Sequence, residues 1–281
     1  MSEPGKLFVV ATPIGNLEDM TLRAIRTLQE VALIAAEDTR RTRILLDHYR
    51  IRTPMTSLNE HNESEKSAAL LAKIKEGLSI ACVTDAGTPA FSDPGYVLIR
   101  HAIHEGIGVV AIPGVCALIT ALCVSGLPMD HFVFQGFLPV KRGKRRIILE
   151  SLLTESRTQV FYESPKRLVA TLSEIGDILG NREVVVAREL TKIHEEVIRG
   201  DVKEVVGILE GRVVKGEITL LVAGKKQEET MIDPEAAIKA QLECLSVGGV
   251  TSRRDMVDRI AEALSLPRKV VYRAVNRLCG G

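Results

Sequence analysis

Short apolar runs alternate with helical patterns through the first half of the chain, and this alternation restricts the possible folds more than any other sequence feature. Each run is four or five residues long and ends at glycine, proline or polar residues, as buried strands do. The predicted strands are 7–11, 33–36, 55–58, 79–83 and 109–112. The predicted helices are 21–28, 41–49, 64–76, 96–103 and 115–124. This order predicts a doubly wound, largely parallel α/β sheet.

A polar break follows each of these strands. The breaks are 12–16, 37–40, 59–63, 84–95 and 113–117. The carboxyl ends of parallel strands lie at one edge of a sheet, beside helix N-termini, so the five breaks converge there. One such break by itself is more often a tight turn than a binding site, but five at one edge favour a ligand cleft.

The fourth break, Thr84–Gly95, has the composition most typical of a ligand loop. Its twelve positions include two glycines, two prolines, two aspartates and three hydroxyl residues. Glycine permits positive φ and close backbone approach, and proline fixes φ, so this stretch is unsuited to a packed core. A strand-to-helix turn that binds nothing is the structural alternative.

Beyond a boundary at 125–128 the alternation continues less regularly. The predicted strands are 132–135, 159–162, 183–188, 195–199 and 217–223. The predicted helices are 143–153, 165–179, with Pro165 in its first turn, and 201–209. The last two strands lack a full crossover pattern, so we expect a mixed sheet with antiparallel pairs. We therefore predict an N-terminal α/β domain over 1–126 and a second α/β domain over 127–227.

The remaining region, 228–281, is predicted to be helical after a polar linker at 225–230. Ser252 and Asp255 resemble a capping box, and two apolar stripes around a turn at 265–267 indicate a helix-turn-helix-like pair. From Thr251 onward the chain has seven Arg and Lys residues against three acidic ones. This tail either docks RNA or packs its apolar stripes onto the core or a second copy of the chain.

Composition excludes several classes of protein. The 281 residues carry 37 basic and 36 acidic side chains, so net charge selects no partner. The first residues have no secretory signal pattern, and no apolar run approaches the roughly 20 residues of a membrane span. We therefore expect a cytoplasmic protein without a membrane partner. The five cysteines have no Cys-x-x-Cys spacing, so buried, reduced thiols are expected rather than disulfides or a metal site.

The common catalytic signatures are also missing. The sequence contains no Walker loop, no Gly-x-Gly-x-x-Gly, no Gly-x-Ser-x-Gly and no histidine pair at i, i+4. Kinase, hydrolase and metalloenzyme functions are therefore disfavoured, and no metal is predicted. The absence of tryptophan argues against a stacking platform for single-stranded nucleic acid.

Six motifs together resemble one family, the bacterial ribosomal RNA small-subunit methyltransferase I, within the tetrapyrrole methylase-like group of S-adenosylmethionine enzymes. The motifs are Thr12–Leu17, Glu37–Arg40, Asp85–Pro89, Ser92–Gly95, Ile112–Val115 and Phe161–Pro165. They span about residues 6 to 225 in order. The resemblance implies 2′-O-methylation of a cytidine ribose in the decoding region of 16S rRNA, by a homodimer that holds S-adenosylmethionine between two α/β domains.

The resemblance also implies a set of cofactor-binding positions. The methionine end of the cofactor is expected at Asp85, Ala86, Gly87, Thr88, Cys116 and Ala117. The adenosine is expected at Tyr162, Glu163, Arg188, Glu189, Ile218 and Thr219. Pro13, in the first loop, is grouped with them and borders the substrate side. The sequence departs from the tetrapyrrole branch, which has a glycine-rich first loop and Gly-Asp-Pro where Thr84-Asp85-Ala86 stands.

Methyl transfer to a ribose hydroxyl requires positioning and, in addition, help with a proton. In-line displacement needs the nucleophile near the methyl carbon. A 2′-hydroxyl is a poor nucleophile, so a nearby base assists. Asp38, Glu60 and His61 are the predicted candidates for that base, although each has an alternative role in shaping the cleft or capping a helix.

A basic run follows the first strand of the second domain. Its members are Lys141, Arg142, Lys144, Arg145 and Arg146. Such a run is usually a solvated surface, but beside a cofactor cleft and an RNA substrate it predicts a phosphate-binding patch. Two alternative functions stay open from the sequence: a tetrapyrrole (precorrin-type) methyltransferase, and a non-catalytic RNA-binding module.

Overall fold

The computed structural model describes residues 5–226, 234–247, 252–264 and 266–278. The chain divides into two compact units, Met1–Lys225 and Lys226–Gly281. The first unit contains two five-stranded sheets, and the second unit is helical within its described residues. The architecture is therefore α/β with additional C-terminal helices, as the sequence predicts.

The first sheet is entirely parallel. Its strands are β1 (Lys6–Val10), β2 (Leu33–Ala36), β3 (Met55–Ser57), β4 (Ile80–Val83) and β5 (Gly108–Ile112), in the order β3-β2-β4-β1-β5. The helices that follow them are α1 (Leu22–Glu30), α2 (Thr39–His48), α3 (Glu63–Lys75), α4 (Tyr96–His104) and α5 (Ala117–Ser125). Because β4 and β1 are central, the loops after them lie side by side at the carboxyl edge.

The second sheet is mixed, which confirms the prediction of antiparallel pairs. Its strands are β6 (Phe132–Phe137), β7 (Thr158–Glu163), β8 (Glu183–Arg188), β9 (Glu196–Asp201) and β10 (Ile218–Val222), in the order β6-β7-β10-β8-β9. Only β6 and β7 pair in parallel. The helices of this part are α6 (Arg142–Ser151), α7 (Leu168–Leu179) and α8 (Val202–Leu209).

Helix α5 joins the two sheets into one unit. It follows the last strand of the first sheet, but its buried residues Leu118, Ala121 and Leu122 pack with Val160, Val185 and Leu221 of the second sheet. The alternate residues of β7, β8 and β10 face a separate core formed with α6, α7 and α8. The shared core explains why the contacts group both α/β parts together. The proposed boundary at 126 coincides with Gly126, the left-handed residue that ends α5.

The described residues of the C-terminal unit form three helices around their own core. These are α9 (Pro234–Val247), α10 (Arg253–Ala263) and α11 (Arg268–Leu278). Ile238, Val257, Ile260, Val271 and Val275 are buried together. The two predicted apolar stripes therefore pack within the unit itself.

Several local predictions were wrong. Helix α7 begins at Leu168, so Pro165 lies in the preceding turn rather than in the first helical turn. Helix α9 lies in the region predicted to be helical, but no bounds were predicted for it. Ser252 precedes α10 without a side-chain capping bond, whereas Asp201 and Glu204 form a capping box at α8. The four cysteines within the described residues are free, but Cys123 and Cys244 are exposed rather than buried. Cys279, residues 227–230 of the linker and Ser265 lie outside the described residues.

Candidate functional site

A cavity of about 350 Å³ lies where the carboxyl edge of the first sheet meets the second sheet. The first α/β part contributes Ile14, the loop after β4 and the start of α5. The second part contributes Phe137, the end of β7 with the turn after it, and the strand ends around Ala187 and Ile218. The cavity therefore lies at the edge that the polar breaks predicted, and its volume suits a small-molecule ligand.

Backbone and side-chain hydrogen bonds fix the loop Thr84–Gly95 against its neighbours. Thr12 and Gly87 exchange two backbone hydrogen bonds of 2.9 and 3.0 Å, and the Thr12 hydroxyl donates to the carbonyl of Thr84. The Asp85 backbone N–H donates to Glu37, and the Asp38 N–H donates to the Asp85 carboxylate, both at 3.1 Å. The first, second and fourth polar breaks are therefore one connected structure.

Gly87 shows why this loop needs glycine. Its φ is +83°, a conformation that L side chains rarely adopt, while its backbone pairs with Thr12 and lines the cavity. Glycine adopts positive φ without a steric penalty. The backbone can therefore approach a ligand closely here.

Glu63 closes the far end of the loop. Its carboxylate is buried and accepts from the backbone N–H groups of Gly95, Val97 and Leu98 at 3.0, 2.8 and 3.2 Å. These groups begin α4 and have no partner within the helix. The third polar break therefore contributes a helix cap, and the role of Glu63 is structural.

The aromatic rings of Phe91, Phe137 and Tyr162 form one wall of the cavity, and Phe134 packs against two of them. Phe91 and Phe134 are stacked with ring centroids 4.6 Å apart, and Tyr162 meets Phe134 edge-on at 5.0 Å. Phe137 lies 5.6 Å from Tyr162 and is more than half exposed. Burial raises the pKa of the Tyr162 hydroxyl above its ordinary value, so it stays protonated. This wall suits a flat, apolar ring.

Asp93 is the carboxylate of the cavity that lacks a partner. It lines the cavity, and among the described residues it has no hydrogen bond or ion pair. Burial, reinforced by the nearby charges of Glu37, Asp85, Glu60 and Glu217, raises its pKa to about 7. A half-buried carboxylate among other carboxylates is stabilised by a cation, so Asp93 favours a positively charged ligand group.

Nine of the predicted cofactor-binding residues line this cavity. They are Ala86, Gly87, Thr88, Cys116, Ala117, Tyr162, Glu163, Ile218 and Thr219. The carboxylate of Glu163 is occupied by Ser164, Arg167 and Thr171, so Glu163 also holds the turn after β7.

Four predicted residues do not line the cavity. Pro13 is buried beside Ile14. Asp85 accepts from Asp38 and pairs with Arg41 at 3.3 Å, so it supports the loop rather than facing the cavity. Arg188 is bonded to Glu196 and to the carbonyl of Lys215, and Glu189 is bonded to Lys192 and to the backbone N–H of Glu217. These pairs brace the strand ends that border the site.

The three candidate bases lie outside the cavity lining. Glu60 and His61 are exposed at the start of the third break. Asp38 caps α2 and pairs with Arg40 at 2.7 Å, and this partner lowers its pKa to about 2. Glu60 lies close enough to raise the pKa of Asp93.

The basic run is divided by the structure. Lys141, Arg142, Lys144 and Arg146 are exposed, whereas Arg145 is buried. The guanidinium of Arg145 donates to Glu174 at 2.5 Å and to the carbonyls of Pro139 and Val140. Arg145 anchors α6 to α7, so it is not available to an RNA phosphate.

The structure adds residues that the prediction did not include. They are Ile14, Phe91, Ser92, Asp93, Phe137, Ser164, Pro165, Ala187, Leu190, Gly216 and Glu217. Ile14, Ser92, Asp93, Ser164 and Pro165 belong to the family motifs quoted above, but the resemblance did not assign them to the site. The other apolar residues gave no signal, because they differ from core residues only by their position in the fold.

The cavity fits S-adenosylmethionine. Phe137, Leu190 and Ile218 suit an adenine ring, and the unpartnered carboxylate of Asp93 suits the positively charged part of the cofactor. The N-terminus of α5, at Cys116 and Ala117, is a feature that suits a carboxylate. Within the described residues no group of three or more His, Cys, Asp or Glu side chains is arranged to hold a metal. None of the described helices is long and apolar enough to cross a membrane.

The chain resembles curated proteins along most of its length. A protein named ribosomal RNA small subunit methyltransferase I from Thermotoga maritima is 52% identical over 223 residues, which are 79% of this chain and 100% of that protein. A protein of the same name from Synechocystis sp. is 46% identical over 269 residues, covering 95% of this chain and 96% of the relative.

A family model and a solved structure agree with these relatives. The model described as tetrapyrrole (corrin/porphyrin) methylases matches residues 6–206. Uroporphyrin-III C-methyltransferase from Thermus thermophilus, solved with S-adenosylhomocysteine, has a TM-score of 0.56 at 19% identity, covering 79% of this chain and 98% of that one. This likeness concerns the fold. The chain thus belongs to the tetrapyrrole methylase family and, within it, to the ribosomal RNA small subunit methyltransferase I group.

Proposed function

We propose that this protein transfers a methyl group from S-adenosylmethionine to the 2′-hydroxyl of a cytidine ribose in the decoding region of 16S rRNA. The observation that carries the proposal is the similarity, across almost the whole chain, to proteins named ribosomal RNA small subunit methyltransferase I. The geometry of the cavity supports it, because the lining suits the cofactor. The proposed substrate implies a cytoplasmic enzyme.

S-adenosylmethionine supplies an activated methyl group on a sulfonium. The protein's part is to hold this group in line with the attacking oxygen, because displacement depends on alignment and close approach. Gly87 and the start of α5 would hold the methionine end, and the wall around Tyr162 and Ile218 would hold the adenosine. The carboxylate of Asp93, which lines the cavity, would stabilise the positive charge of the cofactor.

The proton of the 2′-hydroxyl needs an acceptor on the substrate side. Of the three predicted candidates we propose Glu60, which is exposed and whose charge contributes to the raised pKa of Asp93 in the cavity. Asp38 is a weaker base because its pKa is about 2. His61 is exposed and retained as an alternative. Glu60→Gln is expected to lower kcat while leaving the affinity for S-adenosylhomocysteine unchanged.

Exposed basic residues of α6 and the turn before it provide the proposed first contact with RNA. Lys141, Arg142, Lys144 and Arg146 remain in this patch, and Arg145 does not. Arg142 and Arg146 are partly neutralised by Glu174 and Glu150. Replacing Lys141 and Lys144 with alanine is expected to weaken RNA binding and to flatten its dependence on salt.

A homodimer remains part of the proposal. Its support is the family resemblance, together with β5 as an edge strand and exposed apolar side chains on α4 and α5. Tyr96 and Ile103 of α4 and Ile119 of α5 are 48–63% exposed. Such side chains mark interaction surfaces when they are contiguous. Sedimentation equilibrium of the purified chain tests this assignment.

The decisive experiment is methyl transfer from labelled S-adenosylmethionine to 30S subunits that lack the modification, followed by nuclease digestion and mass spectrometry. The expected product is 2′-O-methylcytidine. Label on a porphyrinoid supplied in parallel, and on no RNA, would support the tetrapyrrole methyltransferase instead. A thermal shift with S-adenosylhomocysteine separates both enzymes from a non-catalytic RNA-binding module, which would show none.

A further inference from the structure

A second cleft, of about 750 Å³, lies within the C-terminal unit. Its walls come from α10 and α11 and carry Arg253, Arg254, Arg268 and Lys269. No acidic side chain lines it among the described residues. Four cations around one concave surface form an electrostatic site for an anion larger than a single ion.

The first turns of both helices meet at this cleft. Arg253 and Arg254 are the first residues of α10, and Arg268 and Lys269 are the first residues of α11. Helix N-termini carry a partial positive charge and free N–H groups, which add to the side-chain charges. Arg268 pairs with Asp258 at 2.6 Å. Arg254 and Lys269 have no ion pair among the described residues, so their charges remain uncompensated.

Helix α11 extends the cleft beyond its charged end. Lys269, Tyr272 and Asn276 lie along one face at intervals of three and four residues. The side chain of Tyr272 is 58% exposed, although Val271 and Val275 beside it are buried. One exposed tyrosine is not the extended stacking platform that the composition disfavours, but beside an amide and cations it can stack on a single base in addition to phosphate contacts.

The apolar faces of these helices are already occupied. Val257, Ile260, Val271 and Val275 pack with Ile238 and Leu242 of α9. The basic face is therefore not a by-product of an unpacked helix pair. It is an exposed surface of a unit whose apolar side chains are buried in the unit's own core.

One relative has about the length of the first unit alone. The Thermotoga maritima protein is matched along its entire length by 223 residues of this chain. The first unit, Met1–Lys225, is of that size and contains the complete cavity. The cleft residues and the cavity residues therefore belong to different compact units, so a role in RNA binding can be tested separately from cofactor binding.

We propose that the cleft between α10 and α11 is an RNA-docking site, in which Arg254 and Lys269 contact backbone phosphates and Tyr272 stacks on an unpaired base. The assignment to RNA rather than another polyanion rests on the proposed function. The unit raises the affinity for rRNA and takes no part in methyl transfer.

The test compares full-length variants for binding to a fluorescein-labelled 20-nucleotide single-stranded RNA of mixed sequence at several salt concentrations. Arg254→Glu combined with Lys269→Glu is expected to weaken binding about tenfold or more and to reduce the salt slope by more than one, since two phosphate contacts are lost. Tyr272→Ala is expected to weaken binding without changing the salt slope, because stacking releases no counterions.

A matched control changes the same charge on the same two helices. Arg259 and Arg273 are exposed, lie outside the cleft and have no ion pair among the described residues. Arg259→Glu combined with Arg273→Glu is expected to weaken binding much less. The neutral pair Arg254→Gln with Lys269→Gln repeats the test if the charge-reversed chain does not fold. Equal losses in cleft and control variants would overturn the proposal, as would preference for DNA of the same sequence.

Enzyme kinetics separate this proposal from the proposed function. With 30S subunits as substrate, the cleft variant is expected to show a higher KM, with an unchanged kcat and unchanged affinity for S-adenosylhomocysteine. If the wild-type chain methylates rRNA and the cleft variant has the same KM and RNA affinity, the docking site alone is refuted. If the wild-type chain methylates no rRNA, the proposed function fails regardless of the binding results.

Discussion

Two aspartates in the loop Thr84–Gly95 have different environments, and their difference is decided by their neighbours. Asp85 is held by the backbone of Asp38 and by Arg41, whereas Asp93 lines the cavity without a partner among the described residues. The sequence placed Asp85 in the cofactor site because it begins a family motif. It did not distinguish the two carboxylates, since both are short acidic side chains in the same irregular loop.

The raised pKa of Asp93 makes both stability and cofactor binding depend on pH. Between about pH 4 and pH 7 the folded chain keeps a proton on Asp93 that the unfolded chain has released, so the free energy of unfolding falls as pH rises across this window. Asp93→Asn removes this pH-dependent loss of stability, because asparagine does not titrate. The difference in unfolding midpoint between Asp93→Asn and the wild type is therefore expected to be more positive at pH 8 than at pH 4.

Cofactor binding gives a second readout of the same group. A cation beside Asp93 lowers its pKa, so binding of S-adenosylmethionine at pH 6–7 is expected to release a proton. Calorimetry in buffers with different ionisation enthalpies measures that release. It is expected to disappear in Asp93→Asn and to persist in Asp85→Asn. Wild-type proton release in Asp93→Asn would show that Asp93 does not face the bound cofactor.

At the scale of elements, the N-terminus of α4, where the loop Thr84–Gly95 ends, is capped by a side chain of another helix. Glu63 begins α3 but satisfies three N–H groups at the start of α4. The sequence marked 59–63 as a polar break and assigned possible chemistry to Glu60 and His61. The capping role of Glu63 could not be predicted from the sequence, because its partners are more than thirty residues away in the chain.

Glu63→Ala is expected to destabilise the protein by about 2–4 kcal/mol, since it leaves buried N–H groups without an acceptor. Urea unfolding followed by circular dichroism measures the effect. Glu63→Gln keeps one acceptor oxygen and is expected to lose less. Glu65→Gln, an exposed change on the same helix, serves as the control. A Glu63→Ala chain as stable as the control would contradict the capping role.

A partner distant in the sequence also decides which residues of the basic run Lys141–Arg146 are exposed. Five charges in six positions predicted one surface, but the periodicity of α6 turns Arg145 inward toward Glu174. The partner on α7 decides this orientation. Charge density in a sequence therefore indicates a patch and does not identify its members.

At the scale of the whole molecule, the cofactor cavity and the C-terminal cleft belong to different compact units. We expect a chain ending at Lys225 to bind S-adenosylhomocysteine with an affinity within about twofold of the full chain. Its kcat on 30S subunits is expected to be retained and its KM to rise about tenfold, the loss expected from two phosphate contacts. Isothermal calorimetry and steady-state kinetics measure both quantities. A folded, truncated chain that binds no S-adenosylhomocysteine would show that the two units are not functionally separable.

The sequence by itself determined the strand–helix order, the mixed second sheet and the edge at which the site lies. These follow from local apolar periodicity and from glycine and proline, whose effects act within a few residues. The family resemblance then identified nine residues that line the cavity. Only the tertiary structure decided that α5 packs on the second sheet, that Asp93 rather than Asp85 faces the cavity, and that Arg145 is buried. Each of these outcomes depends on a partner distant in the chain, and burial and pairing of a side chain are set by that partner and not by its own sequence neighbours.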